Sequence, residues 1–261
     1  MTQAELTSPI PNIHKKNHVD WVFPALIKPR STFEKILNDP LTNWVTPILI
    51  IMAAVVLQVI IAGMLTANAS ASGEVNFPPS FQYYTPEQQA QLQKAMSVSN
   101  GPVFTYIFPI ILSIAKIWLG WLFVGAGLHL LRTLMGGRGT SRSILNMVAW
   151  AGLPFAIREI IQASYMLLSQ ELIRYPGLSG FAPMEVGTFN LFIAELLKQV
   201  DIYWIWHVSL LILGVRLYKD LAPVKAVASV LLIQILAVGI QTLPGLLAAQ
   251  LGNLTIIRPF F

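Results

Sequence analysis

Long apolar blocks alternate along the chain with short polar breaks rich in proline and glycine. A helix needs about 20 mostly apolar residues to cross a hydrocarbon core ~30 Å thick. Five blocks are predicted to do so, at about 44–65, 103–131, 143–168, 201–217 and 224–247. Pro109 and Pro154 are expected to kink or open the second and third, with neighbouring helices or water taking up the freed carbonyls. Ahead of the first block, residues 18–41 are amphipathic: Trp21, Phe23, Leu26, Ile27, Phe33 and Ile36 interleave with Lys28, Arg30 and Lys35. Too short and too charged to span, this segment is predicted to lie at the membrane interface. Ser31 with Glu34 three residues on matches a capping box at a helix start. Thr85-Pro86-Glu87-Gln88 predicts an N-cap with proline at the first helical position and a short helix to about Met96. Phe189–Val200 reads as a second interfacial helix.

The fold class that follows is all-α: a polytopic membrane protein, a bundle of five transmembrane helices with an N-terminal interfacial amphipathic helix. Its parts are a disordered tail at 1–17, the interfacial segment at 18–41, the membrane domain at 42–251 and a short outer tail at 252–261.

Composition agrees with that class. Apolar residues make up 55% of the chain and charged residues 11%, with a mean hydropathy of +0.63, whereas soluble domains carry about 25% charged residues. The net charge of +5 sits beside the apolar blocks, where it sets topology and meets lipid headgroups, so no nucleic-acid partner is expected. Eleven Lys and Arg fall on the N-terminal side of the predicted membrane and four on the other, with Lys116 and Arg158 inside it. The positive-inside rule then puts the N-terminus in the cytoplasm and the C-terminus outside. The chain has no cysteine, which removes disulfides and thiol chemistry. It also has no His-Glu-x-x-His or Gly-x-Ser-x-Gly, and its four histidines are dispersed. No catalytic residue, metal site or cofactor is expected, and the chain reads as a non-enzyme.

Several segments, taken in order, resemble the Yip1 domain family in its prokaryotic form. They begin with Pro29 and Phe33 in the amphipathic lead and Trp44–Pro47 at the mouth of the first span. Gly136-Gly137-Arg138-Gly139-Thr140 and Val148-Ala149-Trp150-Ala151-Gly152-Leu153-Pro154 follow. Asp201-Ile202-Tyr203-Trp204-Ile205-Trp206, Gly214-Val215-Arg216 and Lys225-Ala226 complete the set. The resemblance covers about 20–247. It implies a five-helix membrane domain with a cytoplasmic N-terminus, here in a prokaryotic cytoplasmic membrane. Eukaryotic members are linked to Golgi and endoplasmic reticulum traffic and to Rab-type GTPases.

The sharpest chemical signal is charge inside the membrane, which costs at least ~2.5–3.5 kcal/mol at mid-bilayer and is normally paired or turned to a cavity. A rise of ~1.5 Å per residue brings Lys116, Arg158, Glu159 and His207 to one depth, with Asp201 nearer the outer interface. Lys116 is expected to pair with Glu159, and Arg158 to point toward Asp201 or the outer headgroups. Residues adjacent on a helix lie ~100° apart, which argues against Arg158 and Glu159 sharing a partner. Such a layer can fix helix register or line a binding or proton-coupled cavity. The Gly136–Gly139 turn reads as a tight connection; Arg138 and Arg142, with Lys28 and Arg30, are candidate headgroup contacts. Gly120, Gly125 and Gly127 are expected to allow close helix packing.

Two function classes remain: a scaffold or accessory subunit in membrane organisation or trafficking, and a transporter component with a path through Lys116, Glu159 and His207. The expected partners are the lipid bilayer and other membrane proteins or a second copy of the chain.

Overall fold

The computed structural model describes residues 18–39, 43–71, 79–99, 101–183 and 187–256. The tail expected at 1–17 lies outside them, and of the outer tail only 252–256 lie inside, as helix. Ten α-helices make up the described fold. α1 (Val22–Ile27) and α2 (Pro29–Asn38) form the lead, followed by α3 (Val45–Ala71) and α4 (Pro86–Ser99). A single π-helical turn at Val103–Ile107 runs into α5 (Phe108–Leu134). α6 (Ser141–Ala151) and α7 (Leu153–Ser169) share the third apolar block, α8 (Thr188–Leu197) and α9 (Ile202–Arg216) come next, and α10 (Pro223–Ile256) closes the chain.

Four units are long and apolar enough to cross a membrane: α3, the π turn with α5, α6 with α7, and α10. The block predicted as a fourth independent span differs from expectation. α9 has 15 residues, a rise of ~22 Å that falls short of the ~30 Å core. It meets the length requirement only together with α8, across a 66° bend, as a broken fifth crossing. The protein is thus an all-α, multi-pass integral membrane protein with four spans, or five when the bent pair crosses as one.

The elements close a ring. α3 packs on α7 and α5, α5 on α10, α10 on α9, and α9 on α7. At the end where α5 stops and α6 starts, here the basic end, the ring is filled. Leu128, Ile144, Met147, Trp150, Leu211, Val215 and Val230 are buried there in one core. Gly214 leaves room for Met147 and Phe33, since a Cβ there would fall 2.6 Å from the Met147 sulfur. Gly125 and Gly127 likewise let Leu145 and Ile233 approach.

The lead is more deeply docked than a purely interfacial helix would be. Thr32, Phe33 and Ile36 of α2 are buried against α6 and α9, while Val19, Phe23 and Ile27 stay exposed. An amphipathic pattern reports an apolar stripe and not what covers it. The Ser31 capping box is also absent: α2 starts three residues earlier, with Lys28 as N-cap and Pro29 as first residue, and Ser31 Oγ donates back to the Lys28 carbonyl (3.2 Å). At α4 the predicted cap is present, with Gln88 N on Thr85 Oγ1 (3.3 Å) and Thr85 N on Gln88 Oε1 (3.0 Å).

The third apolar block breaks at Gly152. With Pro154 in its first turn, α7 starts on a tightened bond from Phe155 N to the Gly152 carbonyl (2.9 Å). The Ala151 carbonyl, the ordinary helical partner of Phe155 N, is left for His207 Nδ1 (2.8 Å). Before the break, α6 packs on α5; after it, α7 packs on α3 and α9. A space opens between α5 and α7 in the half of the ring away from the basic end.

Candidate functional site

That space is a cavity of about 250 Å³. Its wall toward the basic end is apolar: Ile48 and Ile51 of α3, Trp121 and Val124 of α5, Val148 and Ala149 of α6. Toward the other end it turns polar, with Gln58, Ser113, Lys116, Arg158, Glu159, Gln199 and Gln241. His207 and Gln234 lie on the same wall. Both are buried and joined by a 3.2 Å contact between Gln234 Nε2 and His207 Nε2. A carbonyl can only accept, so the Nδ1 that meets Ala151 O carries a hydrogen, and the ring is held from both sides.

Four of the five predicted intramembrane residues, Lys116, Arg158, Glu159 and His207, meet at this cavity, and Asp201 stands behind it. Their pairing meets expectation at Arg158 and Asp201 and differs from it at Lys116 and Glu159. Arg158 folds back on its own neighbour, with Nε and Nη2 donating to Glu159 Oε1 at 3.0 and 2.7 Å. Its Nη1 reaches Asp201 Oδ2 at 3.4 Å, and its guanidinium stacks over Phe155. The ~100° between adjacent Cβ atoms is overcome by the length of the arginine side chain, whose planar fork can turn sideways. Asp201 also caps α9, accepting from Trp204 N at 2.7 Å. Both carboxylates are therefore engaged by Arg158, and the expected Lys116–Glu159 pair is not made. Lys116 Nζ instead donates to the neutral Gln199 Oε1 at 3.1 Å.

Among the described residues Lys116 has no ion pair within 4 Å. Gln58, Ser113 and Gln241 have no side-chain hydrogen bond there either. Gly120, one turn from Lys116, has nothing within 4 Å of where its Cβ would stand. It opens the cavity and does not serve helix packing.

A second polar cluster, at the basic end, escaped sequence reasoning. Arg132 closes α5 and is buried, with a fork on the Asp220 carboxylate: Nε lies 2.9 Å from Oδ2 and 3.2 Å from Oδ1. Its Nη2 also donates to the Arg138 carbonyl (2.6 Å), and Arg138 N donates to Asp220 Oδ2 (3.0 Å). The guanidinium lies 3.7 Å above the Tyr218 ring, whose hydroxyl meets Ser143 Oγ at 2.9 Å. The Gly136–Gly139 turn wraps this pair. A Cβ on Gly137 would stand 2.6 Å from Arg132 Cγ, and one on Gly139 would stand 2.5 Å from Arg132 Nη1. Burial of the Asp220 carboxyl works against its ionisation, but Arg132 and the Arg138 N–H outweigh it and hold the carboxyl below the usual range. Burial pushes the Tyr218 phenol up to about 12. The sequence marked Arg132 only as a topology signal; the lone acidic residue of the α9–α10 turn was the available clue.

Of the candidate headgroup contacts, Lys28, Arg30, Arg138 and Arg142 are all exposed. Arg30 sits 3.6 Å from Glu34, and Arg138 serves the Arg132 cluster through its backbone. Among the described residues, no three His, Asp or Glu side chains converge as metal ligands would.

Comparison with known proteins adds one finding. The family model described as Yip1 domain matches residues 24–243, which takes in the docked lead, the ring of helices and both polar clusters. No curated protein and no solved structure matches the chain.

Proposed function

The chain belongs to the Yip1 domain family, and on that premise we propose that it is a non-catalytic scaffold or accessory subunit for other membrane proteins, in membrane organisation or trafficking. The observation that carries this reading is the filled half of the bundle. Met147, Trp150, Leu211, Val215 and Val230 are buried between the cavity and the basic end, which supports a structural layer over a continuous path. The layer's two carboxylates are occupied by Arg158, an arrangement suited to fixing helix register. The proposed orientation has the basic end in the cytoplasm, where α2, the Gly136–Gly139 turn and the α9–α10 turn gather their lysines and arginines. The C-terminus then lies outside, in a prokaryotic cytoplasmic membrane.

The test is to purify the tagged full chain from its own membrane in mild detergent and to reconstitute it alone in proteoliposomes. The scaffold reading expects a membrane protein or a second copy to co-purify reproducibly, and expects Glu159→Gln to lower stability. Solute flux by the chain alone, abolished by Glu159→Gln in a variant that unfolds like the parent, would replace it with the transporter reading.

A further inference from the structure

The cavity itself has a ligand chemistry, independent of the scaffold role. We propose that it is a binding site for a single-chain anionic amphiphile, with an oxyanion headgroup of carboxylate or phosphate on Lys116 and the tail against the apolar wall.

Three observations converge on this occupant. The first is charge. Arg158 is consumed by Glu159 and Asp201, which leaves Lys116 as the cation on the wall whose contact is a neutral amide. An ammonium within a membrane that uses one of its donors on an uncharged oxygen is suited to an anion. The second is the gradient of polarity. Lys116, Gln58, Ser113, Gln199 and Gln241 gather at one end, while Ile48, Ile51, Trp121, Val124 and Val148 form the other. A small hydrophilic anion would leave that apolar end without a partner, and a hydrocarbon would leave the amides and hydroxyl unsatisfied. The third is size. About 250 Å³ lies just under the ~300–1,000 Å³ typical of sites for drug-sized ligands, which favours one chain over two.

The geometry also supplies a control that spares the fold. A side chain at Gly120 would enter open space beside Lys116. Gly120→Leu therefore starts from open space on the cavity wall and extends into the cavity, and it removes a glycine from a helix interior.

The experiment uses the full chain in nanodiscs of phosphatidylcholine, with bromine quenching of tryptophan as the readout, since Trp121 and Trp204 line the cavity. The probes are 11-bromoundecanoate, 11-bromoundecyl phosphate and the neutral 11-bromoundecanol, with acetate and inorganic phosphate as tail-free competitors. One or both anionic probes should quench saturably, and the tighter one names the headgroup. Lys116→Gln should weaken that probe by about tenfold or more, as loss of a charged hydrogen bond implies. Lys116→Arg should retain it, and Gly120→Leu should abolish saturable quenching. The proposal is overturned if the alcohol binds as tightly as the anions, or if neither anion saturates. It also fails if acetate or phosphate displaces the probe at equal concentration, or if Gly120→Leu or Lys116→Gln leaves affinity unchanged in protein that unfolds like the parent.

Discussion

Removing the Asp220 carboxylate tests whether the Arg132 cluster holds the basic end together. The Arg132 side chain is 6% exposed and that of Asp220 24%. Breaking a buried ion pair from one side costs about 3–5 kcal/mol, because the remaining charge is stranded. Here Arg132 keeps the Arg138 carbonyl and the Tyr218 face, and Asp220 is partly wet. The expected loss for Asp220→Ala is therefore ~2–3 kcal/mol, at or under the lower end of that range. It is measured on the full chain in mild detergent, by following tryptophan fluorescence through a titration with a denaturing detergent. The double variant Arg132→Leu with Asp220→Leu removes both charges and should recover most of the loss. The pH dependence has a fixed sign. With the folded carboxyl held below its unfolded value of ~3.9, its contribution is complete above that value and is lost as pH falls beneath it. Asp220→Ala should lack this acid-dependent part. A loss under ~0.5 kcal/mol, equal to that of an exposed substitution, would refute the assignment.

Three further outcomes follow from the same geometry. Tyr218, raised to about 12, should ionise toward that pH in the ultraviolet difference absorbance between the parent and Tyr218→Phe. Its contribution to stability is complete below ~10 and is lost as pH rises toward about 12, a step that Tyr218→Phe should remove. Gly177→Ala should destabilise by ~2 kcal/mol or more in the same unfolding assay: its φ is +62°, and a Cβ would lie 2.7–2.8 Å from the carbonyls of Leu197, Lys198 and Val200. His207→Leu should cost ~1–3 kcal/mol by stranding the Ala151 carbonyl and the Gln234 amide, whereas His207→Asn should recover part of it.

What could be read from the chain divides by the range of the interaction. The cap at Thr85, the break beside Pro154 and four of the five apolar blocks are local signals that lie where their residues place them, whereas the fourth block spans only with α8 and the Ser31 box is not used. The capture of the Ala151 carbonyl by a neighbouring helix was foreseeable in kind, because a broken helix in a membrane must find acceptors and donors nearby; that His207 provides it was not. Arg132 and Asp220 are 88 residues apart, and nothing local in either names the other. Arg158 reaches Asp201 as expected, but the Lys116–Glu159 pair failed for a different reason, since helical spacing places Cβ atoms and says little about where a long guanidinium ends. At α2 the stripe marked a buried face without naming its cover, because lipid and protein select the same apolar stripe.

The break at Gly152 has a consequence for how this fold tolerates change. Had the third apolar block run on as one rod, the same stripe would have to satisfy two sets of neighbours. Split there, its first half packs chiefly on α5 and its second chiefly on α3, while α9 touches both. Substitutions on the part of the cavity wall that α7 supplies, at Phe155, Arg158 or Glu159, fall beyond the break, whereas those at Val148 and Ala149 fall within the tight half itself. A lineage built on this plan can revise what it holds in the membrane while keeping the platform that holds it.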